Sequence, residues 1–321
     1  MRQPVIFIGM HRSGTSMLGR LLESLGLFVG VSKDENNEAI FFQDINVWLL
    51  SQSGANWDVP GPIDYLWNNE EVLQLVEGYV RNRIGSPRSL QFLGIRRYAA
   101  GGFASLNSAW GWKDPRNTFT LPMWLRIFPE AKVVSIERNG VDVAQSLKVR
   151  GARELADAAR QYERYRSVFF ARAKLGGFGA SPRCATLEGG FSLWREYNDR
   201  ARQMIAKLPA DRSLTLRYED FLEEPIKYLR ASAEFCGLQA SDSKIRGVAA
   251  SIKTERSRSY LSDPGLRHFA DEHHAELLAR GYGEMLQRPE TCVGAGEQPR
   301  QMHAGSVSGM GRPARELAQP F

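Results

Sequence analysis

The sequence is poor in cysteine, has no long apolar run and no internal repeat, and lacks a lysine at one place where a common motif would put it. Its three cysteines, Cys184, Cys236 and Cys292, are odd in number and far apart. That argues against a disulfide framework or a zinc knuckle and fits a reducing, cytoplasmic setting. The opening apolar run is too short for a membrane span and is cut off by His11 and Arg12. It reads neither as an anchor nor as a signal peptide, and nothing later approaches a spanning segment. The net charge of +6 suits anionic ligands, but the arginines are scattered rather than gathered in a basic helix or an aromatic-interleaved sheet motif. Nucleic acid is therefore not the expected partner.

What is present reads as an α/β domain. With 321 residues, 43% hydrophobic and 24% charged, the chain can bury a sizeable core. The expected division is one domain over residues 1–290. A tail follows over 291–321, rich in Gly, Pro, Gln and Ser, which reads as disordered.

The organising stretch is PVIFIGMHRSGTSMLGRLLESL, Pro4 to Leu25. Val5, Ile6, Phe7 and Ile8 make an uninterrupted apolar run, the mark of a strand buried on both faces. From Gly14 onward Met17, Leu18, Leu21, Leu22 and Leu25 recur at helical spacing. Between them GMHRSGTS lets the backbone turn at Gly9 and Gly14, aims its N–H groups at an anion and adds a helix N-terminus. The pattern matches the nucleotide-binding P-loop, G-x-x-x-x-G-K-[ST], except that Thr15 stands where the lysine belongs. The loop's cation is Arg12 instead. A plain glycine turn is the alternative, and it has no need of Arg12, Ser13, Thr15 and Ser16 around the glycines.

Glu38 sits where the polar loop after Ser32 becomes a helix, with Ile40, Phe41, Ile45, Trp48 and Leu49 as its buried side. Taken alone it could be a first-turn charge that complements the helix dipole. Gly54 to Trp67 reads as an irregular aromatic loop able to wall an acceptor, and Arg81 to Arg97 holds arginines that are either a groove lining or solvated charges. Lys113, after Trp110 and Trp112, lies at a strand-end corner with Asp114, Pro115 and Arg116, where open α/β sheets place ligand-facing groups.

In KVVSIERNGVDVAQSLKVR, Val133, Val134 and Ile136 form another buried strand and Asn139 caps a helix, with Asp142 completing a capping box. Arg138 at the strand end and Ser146 in the helix can hold a second phosphate. Equally, Arg138 can pair with a local carboxylate and Ser146 can be an ordinary helical serine. Gly151 to Lys174 and Gly190 to Lys207 read as long helices, and Leu214 to Tyr218 as a third strand. The histidines His268, His273 and His274, beside Asp271 and Glu272, read as a solvated helix and not a metal site.

These segments resemble the sulfotransferases that use 3′-phosphoadenosine 5′-phosphosulfate (PAPS). GMHRSGTS is similar to that family's 5′-phosphosulfate loop, and VVSIERNGVDVAQSL to its 3′-phosphate motif with the same Arg138 to Ser146 spacing. NEAIFF resembles the segment of glycan-modifying members whose glutamate is the catalytic base. WKDP resembles the K-x-P segment whose lysine lies beside the acceptor and the transferring group. RYEDFLEEP resembles the segment in which a tyrosine, here Tyr218, approaches the adenine. The resemblance spans roughly Gln3 to Gly237. It implies a three-layer α/β/α fold with a central parallel sheet, P-loop NTPase-like in kind. It also implies Glu38, Arg12 and Lys113 as catalytic groups and His11, Arg12, Ser13, Gly14, Thr15, Ser16, Arg138, Ser146 and Tyr218 as donor-binding groups. No metal is expected. The acceptor is expected to carry a hydroxyl or amine, with a carbohydrate or lipid-linked sugar favoured. The C-terminal segment that closes over the 3′-phosphate in small-molecule members has no counterpart here beyond Arg256 and Arg258, and their histidine base has none. A P-loop small-molecule kinase using ATP and magnesium, or a non-catalytic nucleotide-binding protein, are the competing readings. Oligomeric state is not legible in the sequence.

Overall fold

Val5–Ile8 forms β1, and all of its residues are buried. Ile6 and Ile8 join a core with Trp112, Trp124 and Val133, while Val5 and Phe7 join another with Leu18, Leu22, Val134 and Phe221. A strand that serves two cores has no position left for a polar side chain, which is why it reads as one continuous run. The chain is described from a computed structural model over residues 2–283, apart from 173, 175, 176, 180 and 253–257. The expected tail, Cys292 and Arg256 lie outside the described residues.

The other strands are β2 (Gly111–Lys113), β3 (Lys132–Glu137) and β4 (Ser213–Arg217), in the order β2-β1-β3-β4. All pairings are parallel, with Phe7 opposite both Lys113 and Val134. In chain order the helices are α1 (Thr15–Leu25), α2 (Ile40–Ser51), α3 (Ile63–Trp67), α4 (Glu70–Gly85), α5 (Leu90–Ala99), α6 (Asn117–Ile127), α7 (Gly140–Ala171), α8 (Leu187–Ile205), α9 (Tyr218–Glu223), α10 (Pro225–Phe235), α11 (Asp242–Ala249), α12 (Pro264–Glu272) and α13 (His274–Ala279). Apolar residues of α1, α9, α10 and α11 fill one core and those of α2, α6, α7 and α8 the other, which gives the three-layer arrangement. Because the strands are parallel, their carboxyl ends lie along one edge. The chain runs outward from β1 to β2 and then crosses back to β3, so the crevice at that edge falls between β1 and β3.

Several local expectations change. The helix expected from Gly151 begins at Gly140 and passes through Gly151 without a break. Gly54 to Trp67 is not wholly irregular, since α3 lies within it. α6 starts at Asn117, soon after the corner that follows β2, and carries Pro122 in its first turns. Asn139 does cap α7, its side chain accepting from the Val141 N–H. Asp142 does not close a capping box, however: the Asn139 N–H goes to Glu219 Oε1 at 2.9 Å, and Asp142 accepts from Ser259 and Tyr260 instead. Tyr218, read as the end of a strand, is the first residue of α9. His268 is exposed beside Glu272, whereas the His273 ring packs on Phe191 and Phe269, so the histidines do not form one group. Among the described residues no helix is long and apolar enough to cross a membrane.

Candidate active site

Each sheet strand ends at the same edge and delivers a different piece of chemistry there. After β1 the chain turns at Gly9 (φ +129°) and Gly14 (φ +98°), both in the region L side chains rarely adopt. A Cβ on Gly14 would sit 2.5 Å from Tyr218 Cδ2, so that position needs glycine twice over, for its backbone angle and for its space. Arg12 also has a positive φ, +70°. Its conformation is held from both ends: Arg12 Nε donates to Ser146 Oγ at 2.8 Å, and the Arg12 carbonyl accepts from Arg138 at 3.2 Å. Gly14 is the N-cap of α1, no side chain caps the helix, and its first turn holds no carboxylate. The helix therefore presents its positive end to the crevice uncompensated.

Ser13 does not face that crevice. Its N–H and hydroxyl both go to the Met10 carbonyl, at 3.2 and 2.6 Å, so it shapes the loop from within. Gly14, Thr15, Ser16, His11 and Arg12 do line a cavity of about 330 Å³ together with Asp34, Asn36, Glu38, Gln43, Lys113, Arg116, Arg138, Arg150 and Tyr218. Its lining carries five cations (Arg12, Lys113, Arg116, Arg138, Arg150) against two carboxylates (Asp34, Glu38), a surplus that suits an anionic ligand. A neighbouring cavity of about 500 Å³ shares Arg12, Asn36, Arg138 and Arg150 and adds Ser146 and Ser259. The two sequence segments picked out as phosphate sites thus meet, with Arg12 and Arg138 in both linings. Arg138 lines both cavities, and it also pairs with Asp142 at 3.4 Å while stacking over the Tyr218 ring at 4.6 Å.

Glu38 lies two residues before α2, not in its first turn, and only 4% of it is exposed. Its N–H and that of Asn36 both bond Asp34 Oδ1, at 2.7 and 2.9 Å, which folds the loop so that the carboxylate points inward. There Oε1 accepts from Lys113 Nζ at 2.9 Å, and Oε2 accepts from Arg116 at 3.1 Å and from Gln43 at 2.9 Å. Lys113, 2% exposed, also donates to Ser16 Oγ at 3.0 Å, so one ammonium touches both the carboxylate and the start of α1. Burial and then nearby Asp114 push the Glu38 carboxyl above the usual carboxylate range, with Lys113 and Arg116 pulling the other way. Burial, followed by the charges of Arg116, Lys113, Arg150 and Arg12, holds His11 well below its usual value, so the imidazole is neutral. Its ring packs edge-on against Trp57 and Tyr197 at 4.9 and 5.9 Å between centroids.

The aromatic-flanked corner after β2 gave Lys113, but Arg116, Asp34, Gln43 and Arg150 carried no sequence signal strong enough to single them out. The arginines between Arg81 and Arg97 are not among the lining residues, and Arg81 pairs with Glu77 at 2.7 Å. Arg258, the other C-terminal candidate, pairs with Glu223 at 2.6 Å and lines neither cavity.

Residues 4–242 match the model of a protein family described as the sulfotransferase family. The chain belongs to the sulfotransferase family. Among solved structures, this sulfotransferase is similar to one from Alicyclobacillus acidocaldarius, at 16% identity over 90% of this chain and 97% of that one with a TM-score of 0.45. It is also similar to the sulfotransferase STF1 of Mycobacterium tuberculosis H37Rv, at 17% identity over 84% and 76% of the two chains with a TM-score of 0.46. A sulfotransferase domain from the curacin biosynthetic pathway matches at 13% identity, covering 80% of each chain, with a TM-score of 0.43. No curated protein matches the sequence.

Proposed function

We propose that this sulfotransferase uses PAPS as donor and transfers its sulfuryl group to a hydroxyl or amine of a polyhydroxylic acceptor such as a carbohydrate. The observation that carries the reading is the direct bond from Arg12 Nε to Ser146 Oγ, at 2.8 Å. It joins the uncapped start of α1 to the Arg138 and Ser146 segment, so one molecule with a phosphate at each end can be gripped by both. ATP carries no phosphate on the 3′ oxygen of its ribose to occupy the far segment. The carboxylates near the loop are also committed elsewhere: Glu38 to Lys113 and Arg116, Asp114 to Arg116 and Asn46, and Asp34 to the N–H groups of Asn36 and Glu38. That leaves them poorly disposed to hold magnesium as a kinase site would.

The donor supplies a sulfuryl group whose bond to the bridging oxygen is broken in the transfer. The chain's part is to place it and to manage charge and protons. Thr15, Ser16 and the first N–H groups of α1 bind the phosphate near the bridge, and Arg138 with Ser146 binds the other. Arg12 and Lys113 stabilise the negative charge that gathers on the leaving oxygen, a contribution of about 3 kcal/mol for each well-placed donor. Glu38 takes the acceptor's proton. Asp34, Asn36 and Gln43 line the same side of the cavity as Glu38 and supply polar groups suited to neighbouring hydroxyls.

Calorimetric titration tests the donor: adenosine 3′,5′-bisphosphate should bind without metal and ATP with magnesium should bind far more weakly, and the reverse order overturns the proposal. Glu38→Gln should lower release of the bisphosphate from PAPS, assayed against a panel of sugars and amines, by roughly 10² to 10⁴ with affinity for the bisphosphate kept. A loss confined to affinity would remove Glu38 from the role of base. A chain that binds the bisphosphate but transfers to nothing would be the non-catalytic alternative.

A further inference from the structure

Glu38 presents a difficulty as a base, since both of its oxygens are already bonded. Their partners differ in kind. Among the described residues Oε1 is held by Lys113 Nζ alone, on a long side chain that also reaches Ser16 Oγ at 3.0 Å. Oε2 is held by Gln43 and by Arg116, and Arg116 is itself fixed. Its guanidinium is shared with Asp114 Oδ1 at 3.0 Å, and the same oxygen accepts the Arg116 N–H at 2.9 Å. Asp114 Oδ2 accepts from Asn46 at 2.8 Å, and Asn46 also donates to Asn117 Oδ1 at 2.8 Å. Asn117 donates to the Phe7 carbonyl in β1 at 2.9 Å. A chain of buried hydrogen bonds therefore runs from the central strand to one oxygen of Glu38. Among the described residues no such chain reaches the other.

We infer that Arg116 is a positioning residue that pins Oε2 of Glu38, so that Oε1 is the oxygen that receives the acceptor's proton, and that Lys113 uncovers Oε1 by moving onto the donor. The inference rests on the donor reading above and goes beyond it by assigning the two oxygens and the order of events. In the transfer the sulfur forms a bond to the acceptor oxygen and its bond to the bridging oxygen breaks. The electron pair of that bond stays on the bridging oxygen of adenosine 3′,5′-bisphosphate, beside Lys113, and the acceptor's proton goes to Oε1. With Lys113 withdrawn, Glu38 keeps one cation instead of two and becomes a stronger base only once donor is present. The groups that face Glu38 are Lys113, Asp114 and Arg116 from the corner after β2, Asp34 from its own loop, Gln43 from α2 and Tyr197 from α8. Burial and Asp114 raise its proton affinity, while Lys113 and Arg116 lower it.

The test follows the Glu38 carboxyl by infrared titration of the full chain carrying isotope-labelled glutamate, with Glu38→Gln as the subtraction. Adenosine 3′,5′-bisphosphate should raise the wild-type midpoint, and in Lys113→Met the midpoint should already be high and should no longer respond. Arg116→Gln should raise it by about one to three pH units with or without the bisphosphate, and Arg116→Lys should restore it. An unchanged midpoint in Arg116→Gln, or a wild-type midpoint that ignores the bisphosphate while calorimetry shows it bound, overturns the inference. Should Arg116→Gln fail to fold, Gln43→Leu removes the other donor to Oε2 and must shift the midpoint upward by a smaller amount, no shift again overturning the inference. Absence of any bisphosphate binding sinks the donor reading instead, and the Arg116 comparison is then read in the free protein.

Discussion

In the loop between β1 and α1 the chain turns on itself: Gly9 and Gly14 supply the backbone angles, Ser13 bonds back to Met10, and α1 begins at once with an uncapped end. Around Glu38 the loop supplies only the backbone shape, through Asp34. The carboxylate's partners are Lys113 at the end of β2, Arg116 just beyond it and Gln43 from α2, and behind them stand Asn46 and Asn117. The first region is a shape that a few adjacent residues dictate. The second is an assembly that exists only because β2 lies beside β1. The difference teaches where each is fragile. The loop fails when its backbone is disturbed, and the cluster fails when a buried partner some distance from the cavity is lost.

The most damaging change should be Gly14→Ala. Its methyl group would meet Tyr218 at 2.5 Å in a backbone conformation of φ +98°. Strain of that kind costs about 1 to 3 kcal/mol before any overlap is counted, so affinity for adenosine 3′,5′-bisphosphate should fall by about 100-fold, read by calorimetry. An unaltered affinity would mean that the loop is not the anion cradle. Asn46→Ala should come next and attack the other region only. Asn46 is fully buried, bonds Asp114 and Asn117, and accepts from Thr120 at 2.7 Å and Trp124 at 2.9 Å. Its loss should lower unfolding free energy in denaturant by about 3 kcal/mol and reduce turnover while bisphosphate affinity persists. Equal losses of binding and turnover would erase the distinction between the two regions.

The smallest effect belongs to a third corner. Burial raises the proton affinity of Glu219, against the Asn139 N–H that bonds it. The folded chain therefore keeps this proton to higher pH than the unfolded chain does. The contribution to stability is present below the ordinary glutamate range and is lost as pH rises through the folded value. Glu219→Gln should flatten that decline slightly, seen as a thermal midpoint that varies less between acid and neutral solution. A steeper dependence would overturn the assignment.

Some of this was open to reading before any coordinates. The apolar run Val5–Ile8, the glycines around Arg12 and the Arg138 to Ser146 spacing are short-range patterns, and short-range patterns survive in a sequence. Asp142 shows the limit. Its position suits a capping box, but Glu219, brought up by β4, takes the Asn139 N–H instead. Glu38 shows another. Nothing in its neighbours distinguishes a helix-end charge from a buried carboxylate bonded on both oxygens, and Arg116 looks like any arginine after a proline.

The sequence by itself determined a parallel α/β sheet and a glycine turn into a helix start at the end of its first strand, because buried strands, glycine turns and helix starts are set by residues close together in the chain. Only the tertiary structure decided that the Gly9–Ser16 loop and the Arg138–Ser146 segment share a crevice and that Lys113, Arg116 and Gln43 converge on Glu38. Those contacts depend on which strand lies beside which. Strand order is settled by packing across the whole domain, and no local stretch of sequence carries it.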